Sequence, residues 1–538
     1  MRLLILLATL PLLFSPALCD EGHHHELSEQ EIGSVHFATS CSKSVEKEFN
    51  HAVALLHSFQ YEQTRQAFEA ISQHDPGCAM AQWGVAMSHY HGLWENGDLA
   101  AGEKALVKAQ AIARRNSKTT TREKKYIDAL AEIYRQDGKD NVAHAHAFEQ
   151  KMAELQADYP NDDEAAIFHA LALDISASKT DKTFANQRQC GEILEPIFHK
   201  QPHHPGIAHY LIHCYDNPVL AAKGLNAARM YAKIAPASAH ANHMPSHIFT
   251  RVGSWEESIA SNRRSAQLAA AAEPASQNGE ARDQRLHAMD YLEYAYLQSG
   301  RVQEANTVLQ EMNSLQPVAG LTLTGDYALA AVPARNAVEL GNWKQASDLQ
   351  VRSAGVPWAQ AITWMAVGVG SARANNLART AEAQKALASL RDATAKQNNP
   401  YWANQIEVQR REVEGWLSYA QGNEQAAISS LRSAAELEES MDKHAVTPGA
   451  VIPAREMLAE ILSLAKHAQE SVTEYQAVLK VAPNRFNALS GAALAADAAG
   501  QAELANQFLR KLTDVAIGEE RPELVAARKR LGLLAPSQ

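Results

Sequence analysis

The sequence feature that most constrains the fold is a repeat in which a helical segment, a short turn, a second helical segment and a proline follow one another. The prolines that separate amphipathic segments are Pro76, Pro160, Pro236 and Pro483. The glycines that divide a pair of helical segments are Gly253, Gly300, Gly341, Gly422 and Gly500. The unit is about 34 residues long, which is the length of a tetratricopeptide helical hairpin.

This repeat predicts an all-α fold, a right-handed α-solenoid of tetratricopeptide-type helical hairpins. Because each hairpin buries its apolar face by stacking on its neighbours, we expect about nine to twelve hairpins and helix content above roughly 60%. Ser34-Val35-His36-Phe37 is the one strand candidate, with a loop as its alternative. We assign residues 1–19 to a signal peptide, 20–39 to an N-terminal His-containing extension, 40–515 to the solenoid and 516–538 to a C-terminal cap.

The N-terminus is typical of a secretory signal peptide. Met1-Arg2 precedes an almost wholly apolar run over residues 3–14, and Ala17-Leu18-Cys19 offers a cleavage site. About twelve apolar residues are too few to span a bilayer. Cys19 is the alternative, as a lipid-bearing residue, but the bulky Leu18 disfavours that reading. We predict an exported protein, periplasmic or secreted, whose mature chain does not insert into a membrane.

Four cysteines follow the signal peptide: Cys41, Cys78, Cys190 and Cys214. In an oxidising compartment they suggest two disulfides, for which three pairings exist. Units of a solenoid contact only their neighbours, so cysteines in distant units cannot come within bonding distance. We therefore predict Cys41–Cys78 and Cys190–Cys214.

Five strings in the chain are more specific than the repeat itself. They are Val35-His36-Phe37 with Ser40-Cys41, Val53-Ala-Leu-Leu-His-Ser-Phe59, Asp75-Pro-Gly-Cys-Ala-Met80, His243-Met-Pro-Ser-His-Ile-Phe249 and Pro453-Ala-Arg-Glu456. With them the whole mature chain resembles a group of bacterial exported (periplasmic) tetratricopeptide repeat proteins. The resemblance implies the solenoid and export, and it implies no catalytic residues.

Composition and charge exclude several classes of protein. The 538 residues are 46% apolar and 21% charged, which excludes a disordered chain, a collagen and a coiled-coil rod. Lys and Arg number 50 against 61 acidic residues, a formal charge of −11, and no strongly basic stretch stands out. We therefore expect no nucleic-acid partner.

Histidine is concentrated at the centre of the chain, at matching positions of three successive units. Eight of the 23 histidines lie between His199 and His247. The trios at helical spacing are His209, His213 and Asp216, then His240, His243 and His247, then His287, Asp290 and Tyr294. Each trio falls within an arc of about 60° on its helix. Corresponding positions of later units carry Ala328, Ala331 and Arg335, or Gln409, Glu412 and Trp416, so the imidazole set is local.

We predict that these trios, with Arg251, line the concave groove and form a ligand site. The protein would then be an exported binding or scaffold protein, with a protein, a peptide or a small ligand as its partner. A bound anion clamped by Arg251 is one form of this hypothesis. A polar groove that holds only water is another interpretation.

The alternative function is a metal-binding protein for copper, zinc or nickel, with zinc or copper as the candidate cofactor. The predicted metal ligands are His209, His213, His243, His247, His287 and Asp290. Pro245 complicates this stripe: if a helix begins there, His240 and His243 leave it. His23-His24-His25 is a second, looser candidate for metal capture.

Catalytic signatures are missing from the sequence. It contains no Gly-x-Ser-x-Gly, Walker loop or His-Glu-x-x-His motif. We therefore assign no catalytic residues, and an enzyme is the less favoured interpretation. A zinc-dependent hydrolase in the central groove is the form that an enzyme would take.

Overall fold

The computed structural model describes residues 27–94, 97–138, 140–276, 279–316 and 321–533. The predicted signal peptide and His23-His24-His25 lie outside these residues. Of the described residues, 73% are helical and none lies in a strand, which confirms the all-α solenoid. Residues 34–37 form a loop, so the strand candidate is wrong and its alternative is right.

The described residues form 27 α-helices in chain order. The helices of the first half are α1 (Glu29–Ile32), α2 (Glu46–His57), α3 (Tyr61–His74), α4 (Ala79–Ser88), α5 (Leu99–Arg115), α6 (Thr121–Ala131), α7 (Asn141–Asp158), α8 (Asp163–Ile175), α9 (Ala185–Lys200), α10 (Pro205–Tyr215), α11 (Leu225–Ile234), α12 (Ala239–His243), α13 (Pro245–Val252) and α14 (Trp255–Ala272). Short 3₁₀ turns occupy Lys43–Val45, Ala221–Gly224 and Glu273–Ala275.

The helices of the second half are α15 (Glu280–Gln298), α16 (Val302–Ser314), α17 (Leu323–Glu339), α18 (Trp343–Ser347), α19 (Pro357–Arg373), α20 (Leu377–Lys396), α21 (Pro400–Ala420), α22 (Glu424–Glu439), α23 (Ala454–Leu464), α24 (Ala468–Val481), α25 (Phe486–Ala498), α26 (Ala502–Val515) and α27 (Pro522–Arg530). From α2 to α26 they pair into twelve stacked hairpins, within the predicted range; α12 and α13 together form one arm. None of the described helices is both long and apolar enough to cross a membrane.

The predicted turn glycines end the first helix of their units in the left-handed backbone region. Their φ angles are 70° at Gly253, 74° at Gly300, 67° at Gly341, 79° at Gly422 and 76° at Gly500. Glycine adopts this conformation without steric cost. At Gly253 a side chain is also excluded by contact, because its Cβ would lie 2.4 Å from the carbonyl oxygen of Pro483.

Pro245 divides the central helix into two, but the backbone keeps helical angles across the division. Helix α12 ends at His243 and α13 begins at Pro245, while Met244 between them keeps helical angles of φ −51° and ψ −38°. Proline is tolerated at the first position of a helix because its missing N–H would be unpaired there. His243 and His247 therefore remain one helical turn apart on the same face.

Both predicted disulfides are confirmed. Cys41 and Cys78 are bonded with their Cα atoms 4.8 Å apart, and Cys190 and Cys214 are bonded at 6.2 Å. The second bond joins α9, the second helix of one hairpin, to α10, the first helix of the next hairpin.

Residues 441–453, which we call the central segment, cross the middle of the solenoid and tie its two halves together. This segment lies between α22 and α23 and contains no helix. The N–H of Asp442 donates to the carbonyl of Lys179 at 2.7 Å, and Lys182 Nζ donates to the carbonyl of Met441 at 2.9 Å. The prediction that units contact only their sequence neighbours is therefore wrong, because this segment returns across more than two hundred residues.

Candidate functional site

The structure brings six of the predicted histidines together as two adjacent triads. The first triad is His209, His213 and His240, and the second triad is His243, His247 and His287. Within each triad, one nitrogen of every ring lies within 4.8 Å of the others. The rings come from α10, α12, α13 and α15, the helices that carry the predicted stripes.

In the first triad, His209 lies between the other two rings. Its Nε2 is 3.1 Å from Nε2 of His213 and 3.0 Å from Nε2 of His240. Its Nδ1 is 2.6 Å from the backbone carbonyl oxygen of His57. Because a carbonyl only accepts, Nδ1 carries the proton, and Nε2 of neutral His209 directs a lone pair at its neighbours.

In the second triad, two unprotonated nitrogens face each other. Nε2 of His243 is 3.0 Å from Nε2 of His247. His243 Nδ1 donates to Oδ1 of Asn262 at 2.7 Å, and His247 Nδ1 donates to the carboxylate of Asp216 at 2.9 Å. The Asn262 amide nitrogen donates to the carbonyl of Ser258, which fixes its oxygen toward His243. The His287 ring completes the set, with its centroid 4.1 Å from that of His243.

The two triads are neighbours in one continuous core. The ring centroids of His213 and His247 lie 6.0 Å apart, and those of His240 and His243 lie 6.3 Å apart. His240, His243 and His287 also border a cavity of about 10 Å³. That volume is close to the minimum for one water molecule, so it suits a single small ion or solvent molecule.

The six imidazoles are buried, although the sequence predicted that they line an open groove. None is more than 7% exposed. Phe59 packs its ring 4.4 Å from the His209 centroid, and Trp94 lies 5.4 Å from that of His240. On the other side, Tyr291 packs on His247 and donates to the carbonyl of Thr447 in the central segment at 2.8 Å. The open-groove expectation is therefore corrected: the central segment fills this part of the groove.

Burial keeps the imidazoles of both triads neutral. It lowers the pKa of His209 to about 3, and it lowers the pKa of His247. Burial, reinforced by the neighbouring imidazoles, lowers the pKa of the other four rings well below the ordinary value of histidine: His213, His240, His243 and His287. Neutral imidazole is the form that binds metal ions.

Phe59, which covers the first triad, has a strained backbone. Its φ is 52°, in the left-handed region that bulky residues rarely adopt. The carbonyl oxygen that orients His209 belongs to His57, two residues earlier, at the end of α2. Such strain persists where the surroundings enforce it, and it is common at functional sites.

Asp216 and Arg251 support the second triad from outside. The Asp216 carboxylate accepts from Arg251 Nε at 2.8 Å and from Lys443 Nζ at 2.6 Å, besides His247. Burial opposes its ionisation, but Lys443, Arg251 and His247 outweigh burial and lower its pKa. Arg251 also reaches Asp442 at 3.2 Å. Asp216 therefore orients His247, and Arg251 is occupied by protein carboxylates.

The structure does not bring Asp290 and Tyr294 to the triads. Asp290 Oδ1 accepts from Arg335 Nη1 at 2.6 Å, although the sequence analysis made Asp290 a metal ligand. Tyr294 accepts from Arg485 Nη1 at 3.3 Å and borders a different cavity. Both side chains point into a neighbouring ion-pair network, in which Arg335 binds Asp290 and Arg485 binds Tyr294.

Sequence reasoning missed a third buried cluster, formed by His57, His204 and Glu164. Nε2 of His57 and Nε2 of His204 lie 3.0 and 2.9 Å from the two oxygens of Glu164. Burial opposes ionisation of Glu164, but the two imidazoles lower its pKa. These residues come from α2, α8 and the cap of α10, so no spacing in the sequence joins them. The carboxylate of Glu164 therefore binds Nε2 of both rings, and the cluster is a buried hydrogen-bonded network.

A larger cavity of about 670 Å³ lies on the other side of the central segment. Its walls include Trp358, Trp402, Tyr401, Tyr327, Glu412 and Glu438. Gln409 and Glu412, which the sequence analysis used only for comparison, border this cavity. This cavity could have been predicted from the polar residues Gln409 and Glu412, which occupy the positions of α21 that correspond to the histidine positions of the central units.

Comparisons with known proteins return distant helical structures. The human IFIT1 dimer with PPP-AAAA has a TM-score of 0.36 and 12% identity, covering 86% of this chain and 88% of that chain. The APC/C hetero-tetramer Cut9–Hcn1 gives 0.32 and 13%, covering 89% and 94%, and yeast Tom70 gives 0.28 and 10%, covering 90% and 88%. No protein-family model and no curated protein matches the sequence.

Proposed function

We propose that this protein is an exported α-solenoid that binds transition-metal ions, one in each histidine triad. The observation that carries the proposal is the contact between Nε2 of His243 and Nε2 of His247 at 3.0 Å, with the ring protons of both residues committed to Asn262 and Asp216. Two lone pairs at that distance repel each other. A cation between them converts the repulsion into coordination.

The spacing of the nitrogens suits a metal. Zinc–nitrogen bonds of about 2.0–2.1 Å at tetrahedral angles place two ligand nitrogens about 3.3 Å apart. Nε2 of His209 lies 3.0–3.1 Å from Nε2 of His213 and of His240, and the Nε2 atoms of His243 and His247 lie 3.0 Å apart, so a small expansion admits the ion. His209, His243 and His247 each direct Nδ1 to an acceptor, which is the outer-shell arrangement that orients histidine ligands.

The ligand set favours zinc or copper. Imidazole nitrogen suits zinc, copper and nickel, whereas magnesium and calcium prefer oxygen. Three imidazoles leave a fourth position of a tetrahedral ion for solvent or substrate. A hydrolase needs that position open to substrate, but Phe59, Trp94 and the central segment cover the triads. Metal binding is therefore favoured over the zinc-hydrolase alternative.

Export and a bacterial source remain part of the proposal. The two disulfides support an oxidising compartment. The apolar run over residues 3–14 supports a cleaved signal peptide. N-terminal sequencing of protein recovered from the cell envelope tests this part: a mature chain that begins at Asp20 is expected, and a chain that retains Met1 contradicts it.

Metal content of the purified protein tests the proposal. The protein carries His23, His24 and His25 changed to alanine, has no affinity tag, and is exposed to excess Zn²⁺ and then dialysed. We expect about two zinc ions per chain by mass spectrometry, about one in His209→Ala or His247→Ala, and none in the double variant. His169→Ala is the matched control: His169 is buried but bonds Gln156 and Glu149 instead, so zinc content should not change.

A variant of an orienting residue tests the second triad without removing a ligand. Asn262→Leu leaves His243 Nδ1 without its acceptor, so we expect zinc affinity at one site to fall by about 10–100-fold. Circular dichroism checks that helix content is retained. Zinc retained by the double histidine variant, or no zinc bound by the parent protein, contradicts the proposed function.

A further inference from the structure

The larger cavity, on the other side of the central segment from the triads, has the size and lining of a site for an organic ligand. Its volume of about 670 Å³ lies within the range of small-molecule pockets. Trp358 and Trp402 form a stacked aromatic wall, with ring centroids 4.5 Å apart and planes inclined by 20°. The ring of His444, in the central segment, also stacks on Trp402, with ring centroids 5.3 Å apart. These side chains are held by packing and offer flat apolar surface.

One carboxyl oxygen of a residue that borders this cavity has no hydrogen-bond partner in the described part of the chain. Glu412 on α21 is 2% exposed, and its Oε2 accepts no hydrogen bond from any described residue. Oε1 of Gln409, one turn earlier on the same helix, also lacks a donor among the described residues. A buried acceptor that is left unpaired costs free energy, so these two oxygens call for a donor that the described chain does not supply.

A second acid beside the cavity adds to the need for a hydrogen-bond donor or a cation. Glu438 also borders the cavity and accepts from the N–H of Ala454 at 3.0 Å. Burial, and then the negative charge of Glu438, raise the pKa of Glu412 well above its usual range, and burial raises the pKa of Glu438 to about 7. Two acids that hinder each other's ionisation are relieved when a cation binds between them.

Five cationic side chains border the cavity: Lys182, Arg251, Lys443, Arg455 and Lys480. Arg455 pairs with Glu439 and Glu474, and Lys443 pairs with Asp216. Arg251 pairs with Asp216 and Asp442. Lys182 donates to the carbonyl of Met441, and Lys480 is exposed. None of these five side chains donates to Oε2 of Glu412, so we expect the positive charge for this carboxyl group to come with the ligand.

We propose that this cavity binds an organic ammonium ion, whose N–H groups donate to Glu412, Glu438 and Gln409 and whose apolar body lies against Trp358 and Trp402. Aromatic faces attract cations as well as apolar groups, so both parts of the ligand are recognised. This proposal is independent of the metal proposal. The central segment separates the cavity from the triads, and none of the residues proposed to bind the ammonium ion is a proposed metal ligand.

Calorimetric titration of the full chain at pH 7.5 with three matched probes tests the proposal. The probes are tryptamine as the cation, tryptophol as its neutral analogue and indole-3-propionate as the anion. We expect tryptamine to bind at least tenfold more tightly than either analogue. Glu412→Gln should weaken tryptamine binding at least tenfold and leave tryptophol binding unchanged.

Two further variants complete the test. Glu414→Gln is the matched control, because Glu414 lies on the same helix but its side chain is half exposed and pairs with Arg410. This variant should bind tryptamine as the parent does. Trp402→Ala should weaken all three probes. The proposal is overturned if tryptophol or indole-3-propionate binds as tightly as tryptamine, if Glu412→Gln binds tryptamine normally, or if tryptamine gives no binding at millimolar concentration. Thermal unfolding of each variant confirms that it is folded.

Discussion

Arg335 lies between two buried acids, Asp290 and Glu293, and one guanidinium neutralises only one of them. Its Nη1 donates to Asp290 at 2.6 Å and contacts Glu293 at 3.3 Å. Burial raises the pKa of Glu293 to about 8, and the attraction of Arg335 only partly opposes this. Glu293 therefore holds a proton at neutral pH. Asp290 was predicted to bind metal from its spacing along one helix. That spacing could not show that Arg335, from a later unit, binds the Asp290 carboxylate.

Glu293→Gln should make the protein less sensitive to alkaline pH. The unfolded chain ionises Glu293 near its usual pKa of about 4.5, whereas the folded chain keeps the proton up to about pH 8. The folded state is thus favoured at low pH and loses this advantage as pH rises between those values. Relative to the parent, the variant should gain about 1.4 kcal/mol in free energy of unfolding per pH unit over pH 5–8.

Urea unfolding at several pH values measures this difference. Glu304→Gln is the control, because Glu304 is exposed on the neighbouring α16 and should not alter the pH profile. Parallel profiles of Glu293→Gln and the parent would show that Glu293 is ionised when folded.

At the scale of helices, much of the architecture could be predicted from the sequence. The turn glycines, the twelve hairpins and both disulfides follow from a repeat whose units meet their neighbours. Helical spacing also predicted that His243 and His247 share one face of a helix. Pro245 made that prediction uncertain, and the helical backbone angles of Met244 confirm it. The outer partners Asn262 and the His57 carbonyl could not be predicted, because they come from other helices at unrelated spacings.

The disulfide between α9 and α10 should stabilise the helix that carries His209 and His213. Replacing Cys190 and Cys214 by serine releases a loop of 24 residues, which should cost about 3 kcal/mol in local stability. Hydrogen exchange of the α10 amides should accelerate accordingly, and zinc affinity of the first triad should fall. The Cys41→Ser and Cys78→Ser pair is the control: it should leave exchange in α10 unchanged. Equal effects of both pairs would contradict this local role.

At the scale of the whole molecule, the central segment decides what kind of site the protein has. It converts an open groove into a buried histidine core on one side and an aromatic cavity on the other. Nothing in the repeat predicts this, because a segment without helical periodicity makes contacts across 227 residues, from Lys443 to Asp216. The sequence therefore located the histidines but placed them in the wrong environment.

Lys443→Met should loosen the two halves of the solenoid. Burial lowers the pKa of Lys443 to about 8, yet the ammonium lies 2.6 Å from Asp216. The variant loses a buried hydrogen bond between charged groups, although Asp216 keeps Arg251 as a partner, so we expect a loss of about 2 kcal/mol in free energy of unfolding. Lys344→Met is the control, since Lys344 pairs with Asp348 on the surface and should change stability by less than about 0.5 kcal/mol. A loss no larger than that of the control would show that the central segment does not hold the two halves of the solenoid together.

Anomalous diffraction at the zinc edge, from crystals of the zinc-loaded protein, would locate the metal ions that the histidine triads bind. We expect two peaks, one within about 2.0–2.2 Å of Nε2 of His209 and the other within the same distance of Nε2 of His243 and His247. The Asp290 carboxylate should lie outside both coordination shells. Zinc found only at surface sites, or no peak within about 3 Å of any triad nitrogen, would contradict metal binding by the triads.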